Sequence, residues 1–107
     1  MNPELKKHTE QLKAICRKYR FSKLWVFGSV LSTAFQKNSD IDFLYDLNHK
    51  SLDGKTSIEY FFAFQEEVEH LLGRPIDLVW YPGIRNPYFK EEVDESKILI
   101  YEEETEK

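Results

Sequence analysis

Three aspartates and one glycine–serine pair carry the most evident chemistry of this 107-residue chain. Gly28-Ser29 closes the β-forming run Lys23-Leu24-Trp25-Val26-Phe27 and leads into a short helical stretch expected over residues 29–35. Glycine allows a tight turn and a close approach of backbone to a ligand. The free N–H groups of a helix N-terminus favour a phosphate, and the Ser29 hydroxyl can add a hydrogen bond. Ten residues later come Asp40 and Asp42, at the start of a second strand. Their spacing of two points both carboxylates the same way, with Cα atoms roughly 6–7 Å apart. Such a pair can bridge two hard cations about 3.5–4 Å apart. Magnesium is such a cation, because it takes oxygen ligands and shares them with substrate phosphates. Asp77, early in a third strand, joins the site if that strand lies beside the second.

The elements that must hold these groups are legible as periodicities. Leu5, Leu12, Ile15, Cys16 and Tyr19 recur at helical spacing from Pro3 to about Arg20, and Pro3 suits a first turn. Residues 40–47 alternate with period two. Asp40, Asp42, Leu44 and Asp46 share one face, and Ile41, Phe43, Tyr45 and Leu47 share the other. A loop near Asp53-Gly54 precedes an amphipathic helix built on Ile58, Phe61, Phe62, Gln65, Val68, Leu71 and Leu72, with Gly73 and Pro75 to end it. Residues 75–81 read as the third strand. Asn86-Pro87 opens a last short helix through Val93, and Ile98-Leu99-Ile100-Tyr101 adds a short edge strand. The expected class is α/β (α+β), a small mixed sheet flanked by helices.

Composition narrows the function. Hydrophobic residues are 41% and charged residues 32%, which describes a globular chain rather than a disordered or fibrous one. One domain over residues 1–107 is expected, with an acidic, frayed tail at 102–107. The longest apolar run is the five residues 60–64, too short to span a bilayer, so no membrane role is expected. One cysteine, Cys16, permits no internal disulfide, and the cytoplasm is the expected compartment. A net charge of −4 argues against general nucleic-acid binding, although residues 1–24 carry seven basic and two acidic side chains. Three aspartates among strand-forming residues are less easily explained, because an unpaired charge there is costly.

Taken together, Gly28-Ser29, the ten-residue spacer, Ser39-Asp40-Ile41-Asp42-Phe43-Leu44 and Pro75-Ile76-Asp77-Leu78-Val79 resemble the polymerase beta-like nucleotidyltransferase superfamily. The closest likeness is to its minimal, MNT-type members, and Asn86-Pro87-Tyr88-Phe89, Val93 and residues 98–101 resemble that family's end. The likeness covers about residues 23–101. It implies the polymerase beta-like fold and transfer of a nucleoside monophosphate, AMP from ATP, to a hydroxyl. It also implies two Mg²⁺ ions on Asp40, Asp42 and Asp77, and nucleotide phosphates on Gly28, Ser29 and Ser39. Minimal members are commonly encoded beside a helical HEPN-type toxin, so a toxin–antitoxin setting follows, with the partner as acceptor and with homo- or hetero-oligomers. One departure stands out. Where the family carries Arg-Gly within the spacer, this chain has Ser32-Thr33, and serine offers a triphosphate no positive charge. That departure supports a rival reading, a non-catalytic protein-binding antitoxin with a vestigial site.

The remaining reactive side chains read as structural. Exposed strand ends, with Asp40 as an N-cap, are the plain alternative for the triad, and the spacing and the third member weigh against it. Gly28-Ser29 alone would pass for an ordinary strand-to-helix turn. Asp46 lies about 13 Å along the strand from Asp42 and reads as structural. Cys16 reads as a core thiol. His8, His49 and His70 lack metal-ligand spacing. Phe61, Phe62 and Phe64 cannot all face one way, so at least one is expected at a partner-facing surface.

Overall fold

The computed structural model describes residues 3–28, 40–47 and 57–103 of the chain. Two helices, α1 (Pro3–Lys7) and α2 (Thr9–Lys18), precede strands β1 (Phe21–Phe27) and β2 (Ile41–Leu47). Helix α3 (Ser57–Leu72), strand β3 (Ile76–Trp80) and a 3-10 turn (Tyr81–Gly83) follow, then α4 (Pro87–Ser96) and β4 (Ile98–Glu102). The four strands form a mixed sheet in the order β3-β2-β1-β4. β1 runs antiparallel to β2 and β4, whereas β3 lies parallel to β2 after the α3 crossover.

The sheet is covered on both faces. Ile41, Phe43, Tyr45 and Leu47 of β2 join Leu24 and Val26 of β1 in the larger core, with Leu5, Leu12, Cys16, Phe64, Val68 and Leu72 from the helices. The opposite face carries a smaller core of Trp25, Phe27, Leu44 and Val93, roofed by α4. The period-two alternation along β2 therefore sorts its side chains between two different cores.

Helix ends follow local chemistry. Gly73 takes φ +68°, and its N–H donates to the Glu69 carbonyl at 2.8 Å, closing α3. Asn86 caps α4, its side-chain oxygen accepting from the N–H groups of Tyr88 (2.9 Å) and Phe89 (3.2 Å), with Pro87 in the first turn.

Four expectations change. Glu102, expected in a frayed tail, pairs with Lys23 as the last residue of β4, and the Glu103 N–H donates to the Ser22 carbonyl at 2.7 Å, because the β1 edge offers partners to the chain there. The first helix is broken at His8, whose N–H bonds back to Leu5 (3.1 Å), and neither glycine nor proline marks the break. Helix α2 also stops at Lys18 rather than near Arg20, which has left the helix for φ 64°. Finally, α3 is rotated from the expected stripe. It buries Tyr60, Phe64, Val68 and Leu72, and leaves Ile58 and Phe62 exposed at 64% and 60%. The Phe64 ring stacks on Phe21 at 4.0 Å and 15°, and that contact selects the buried face.

Candidate active site

Strand pairing assembles the acidic site. Asp42 stands opposite Asp77 in the parallel β2–β3 pair and opposite Phe27 in the antiparallel β1–β2 pair. Gly28 follows Phe27 directly and takes φ +80°. A Cβ on Gly28 would overlap Oδ2 of Asp42, so the backbone here closes against the carboxylate. Glycine is required twice over, by the left-handed conformation and by the contact.

The electrostatics match this crowding. Asp42 is half-buried, whereas Asp40 and Asp77 are exposed. Burial pushes the Asp42 carboxyl up from its ordinary 3.8 to about 6, and the Asp77 charge, a hydrogen bond to Asp77 and the Asp40 charge add to the shift. All three expected aspartates thus act on one locus. Among the described residues no three His, Cys, Asp or Glu side chains are drawn closely enough to hold a metal ion as they stand. The triad is aligned by register and is not closed. Its donor chemistry nonetheless suits a hard divalent cation, being all carboxylate, with a mutual repulsion that such a charge would relieve.

Ser29 and Ser39, with Ser32, Thr33 and the expected helical stretch at 29–35, lie outside the described residues, as do His49 and the Asp53-Gly54 loop. Asp46 accepts a hydrogen bond from the Leu47 N–H (2.9 Å), consistent with a structural role. Cys16 is fully buried, and burial drives its thiol far above the ordinary range. His70 is exposed; His8 is half-buried at the α1–α2 break, and its Nδ1 has no hydrogen-bond partner among the described residues.

One group that anchors the site's roof was not anticipated. The Tyr81 hydroxyl donates to Asp94 at 2.6 Å, and Lys90 and Lys97 both pair with Asp94. The network ties the turn after β3 to α4, while Phe89 packs edge-on against Phe27 at 6.0 Å. The i,i+4 and i,i+3 charge spacing on α4 was visible in the sequence. The tyrosine that joins it was not, because that link crosses two elements.

Comparison with known proteins agrees with this fold. Residues 10–106 match the family model described as "Polymerase beta, Nucleotidyltransferase". Two proteins of Methanocaldococcus jannaschii, named "Putative protein adenylyltransferase" MJ0128 and MJ1217, are 32% and 31% identical over 96 residues, 90% of each chain. A solved structure described as a "putative minimal nucleotidyltransferase" superposes with TM-score 0.70 at 26% identity, over 88% of this chain and 90% of that one. A chain of a toxin–antitoxin complex solved with AMP-PNP shares the fold, with TM-score 0.67, 16% identity and coverage of 89% and 73%. So does a chain of a complex between a tri-AMPylated Shewanella oneidensis HEPN toxin and an MNT antitoxin, at TM-score 0.62, 15% identity and coverage of 92% and 72%.

Proposed function

The chain belongs to the polymerase beta-type nucleotidyltransferase family, and from that premise we propose that it transfers AMP from ATP to a hydroxyl on a partner protein. The observation that carries this reading is the cross-strand pair Asp42–Asp77, with Gly28 closed against Asp42. Relatives named as protein adenylyltransferases support the protein acceptor. The fold shared with toxin–antitoxin complexes supports a HEPN-type partner and an antitoxin role.

In this reading Asp40, Asp42 and Asp77 hold magnesium, two ions being the number expected. Bound magnesium supplies neutralisation of the triphosphate and lowers the pKa of the attacking hydroxyl. The chain's own groups position the reaction. Gly28 keeps the turn open to phosphate oxygens, and Ser29 and Ser39 donate hydroxyl hydrogen bonds to them. Asp77, exposed on the sheet edge, receives the acceptor proton on a carboxylate oxygen. The acceptor oxygen bonds to the α-phosphorus, the bond to the bridging oxygen breaks, and pyrophosphate leaves with that electron pair.

The test is intact-mass analysis of a co-expressed HEPN-type partner after incubation with ATP and Mg²⁺. A gain of one or more AMP masses, lost in Asp42→Asn, is the expected result. A non-catalytic antitoxin remains the second reading, and Ser32-Thr33 in place of Arg-Gly is the observation that favours it. A partner neutralised without any gain in mass would establish that second reading.

A further inference from the structure

A cleft opens further along β3 from Asp77. Val79, Trp80, Gly83, Ile84, Arg85, Asn86 and Phe89 line a cleft of about 370 Å³, toward the small end of the range of ligand pockets. Two of its lining residues lie near the acidic site. Val79 follows Asp77 by two positions on β3, so it lies on the same face about 6.6 Å further along. Phe89, on the other wall, packs against Phe27, the cross-strand partner of Asp42.

The wall chemistry is specific. Trp80 is 43% exposed, although tryptophan is usually well buried. Its six-membered ring rests on Gly83, where a Cβ would meet Cε3 at 2.8 Å. Gly83 thereby lets the indole lie down as a shelf. The polar residues of the lining are Arg85 and Asn86; the first carries only donors, and the second has its Oδ1 used by the helix cap and its NH₂ left to donate. A flat aromatic shelf in an apolar cleft, with two donor-bearing side chains in its lining, matches a ring that carries acceptor nitrogens in its plane. A purine base has those acceptors; a tyrosine ring has only one hydroxyl at its edge.

We propose that the Trp80–Gly83 cleft seats the purine base of the nucleotide whose phosphates lie at Asp42 and Asp77. The proposal rests on the nucleotidyltransferase reading above. The base stacks on Trp80, Arg85 and Asn86 address its ring nitrogens, and selectivity for a nucleotide over bare polyphosphate originates here.

The experiment measures binding of Mg-ATP and of Mg-tripolyphosphate, which carries phosphates without a base, to the full chain. Expected for the parent is tighter binding of ATP than of tripolyphosphate, with quenching of Trp80 fluorescence by ATP alone. Trp80→Ala should weaken ATP about five- to a hundred-fold and leave tripolyphosphate unchanged. Trp80→Phe, which retains a stacking ring, should recover most of the loss. Equal affinity of the parent for both ligands overturns the base cleft alone, as does a Trp80→Ala variant that loses both together. A Trp80→Ala variant that binds ATP normally yet no longer labels its partner assigns the cleft to the acceptor, and also overturns it. Binding of neither ligand by the parent overturns the nucleotidyltransferase reading itself, and the base cleft falls with it.

Discussion

Asp42 and Asp77, 35 positions apart in the chain, stand directly opposite one another on parallel strands, with Gly28 closed against the first. Adjacent strands lie about 4.8 Å apart, so the two carboxylates repel unless a proton or a cation stands between them. Half-burial raises that repulsion, and the Asp42 carboxyl moves up to about 6.

Asp42→Asn should therefore stabilise the fold at neutral pH. A folded-state pKa above the unfolded 3.8 means that the proton favours the folded form. That contribution is fully present below about pH 4 and is lost as pH rises through about 6. The asparagine variant should match the parent at pH 3.5 and exceed it above pH 7. After discounting for solvent screening, about 1 kcal/mol is expected, a rise in Tm of roughly 4–8 °C. Thermal melts across pH measure it; a variant less stable than the parent at pH 8 contradicts the arrangement.

Added Mg²⁺ or Mn²⁺ should raise the parent's Tm, and Gly28→Ala should abolish that gain. The new methyl group overlaps the Asp42 carboxylate in a conformation with φ +80°. About 1–3 kcal/mol of stability is expected to go with it. Melting curves with and without metal separate the two effects, and an alanine variant that keeps the full metal response would rule out the close contact.

Phe64→Ala and Phe62→Ala should differ sharply. Phe64 is fully buried and stacked on Phe21, so truncation should cost about 3–5 kcal/mol. Phe62 is 60% exposed, and its truncation should change stability by no more than about 0.5 kcal/mol. Urea denaturation of both variants checks the rotation of α3; comparable losses would mean that the helix faces otherwise.

Ser32→Arg combined with Thr33→Gly should tighten ATP binding. A charge-assisted contact to phosphate is worth about 1.5–3 kcal/mol, roughly ten- to a hundred-fold. The rate at saturating ATP should change little, because the aspartates and the Gly28 turn are untouched. Calorimetric titration and a labelling time course measure the two quantities. Unchanged ATP affinity would mean that Ser32-Thr33 cost the chain no triphosphate contact.

The sequence by itself determined what depends on neighbours along the chain. Alternation over residues 40–47 assigned Asp42 and Leu44 to one face and Phe43 and Tyr45 to the other, as the two cores bear out. Asn86-Pro87 and Gly73 marked a helix start and a helix end, because capping and left-handed turns are satisfied within a few residues. Spacing by two put Asp40 and Asp42 on one face, whereas Asp77 joined them only on the condition that its strand lay beside theirs. Tertiary structure alone decided that β3 lies parallel beside β2 in the register that pairs Asp42 with Asp77. It alone turned α3 to bury Phe64 rather than Phe62, laid Trp80 on Gly83 and closed Gly28 against Asp42. Periodicity fixes which face of an element is apolar only to within the choices its apolar residues allow. Register and helix rotation are chosen among those options by contacts between residues distant in sequence, such as Phe21 with Phe64, which leave no local pattern.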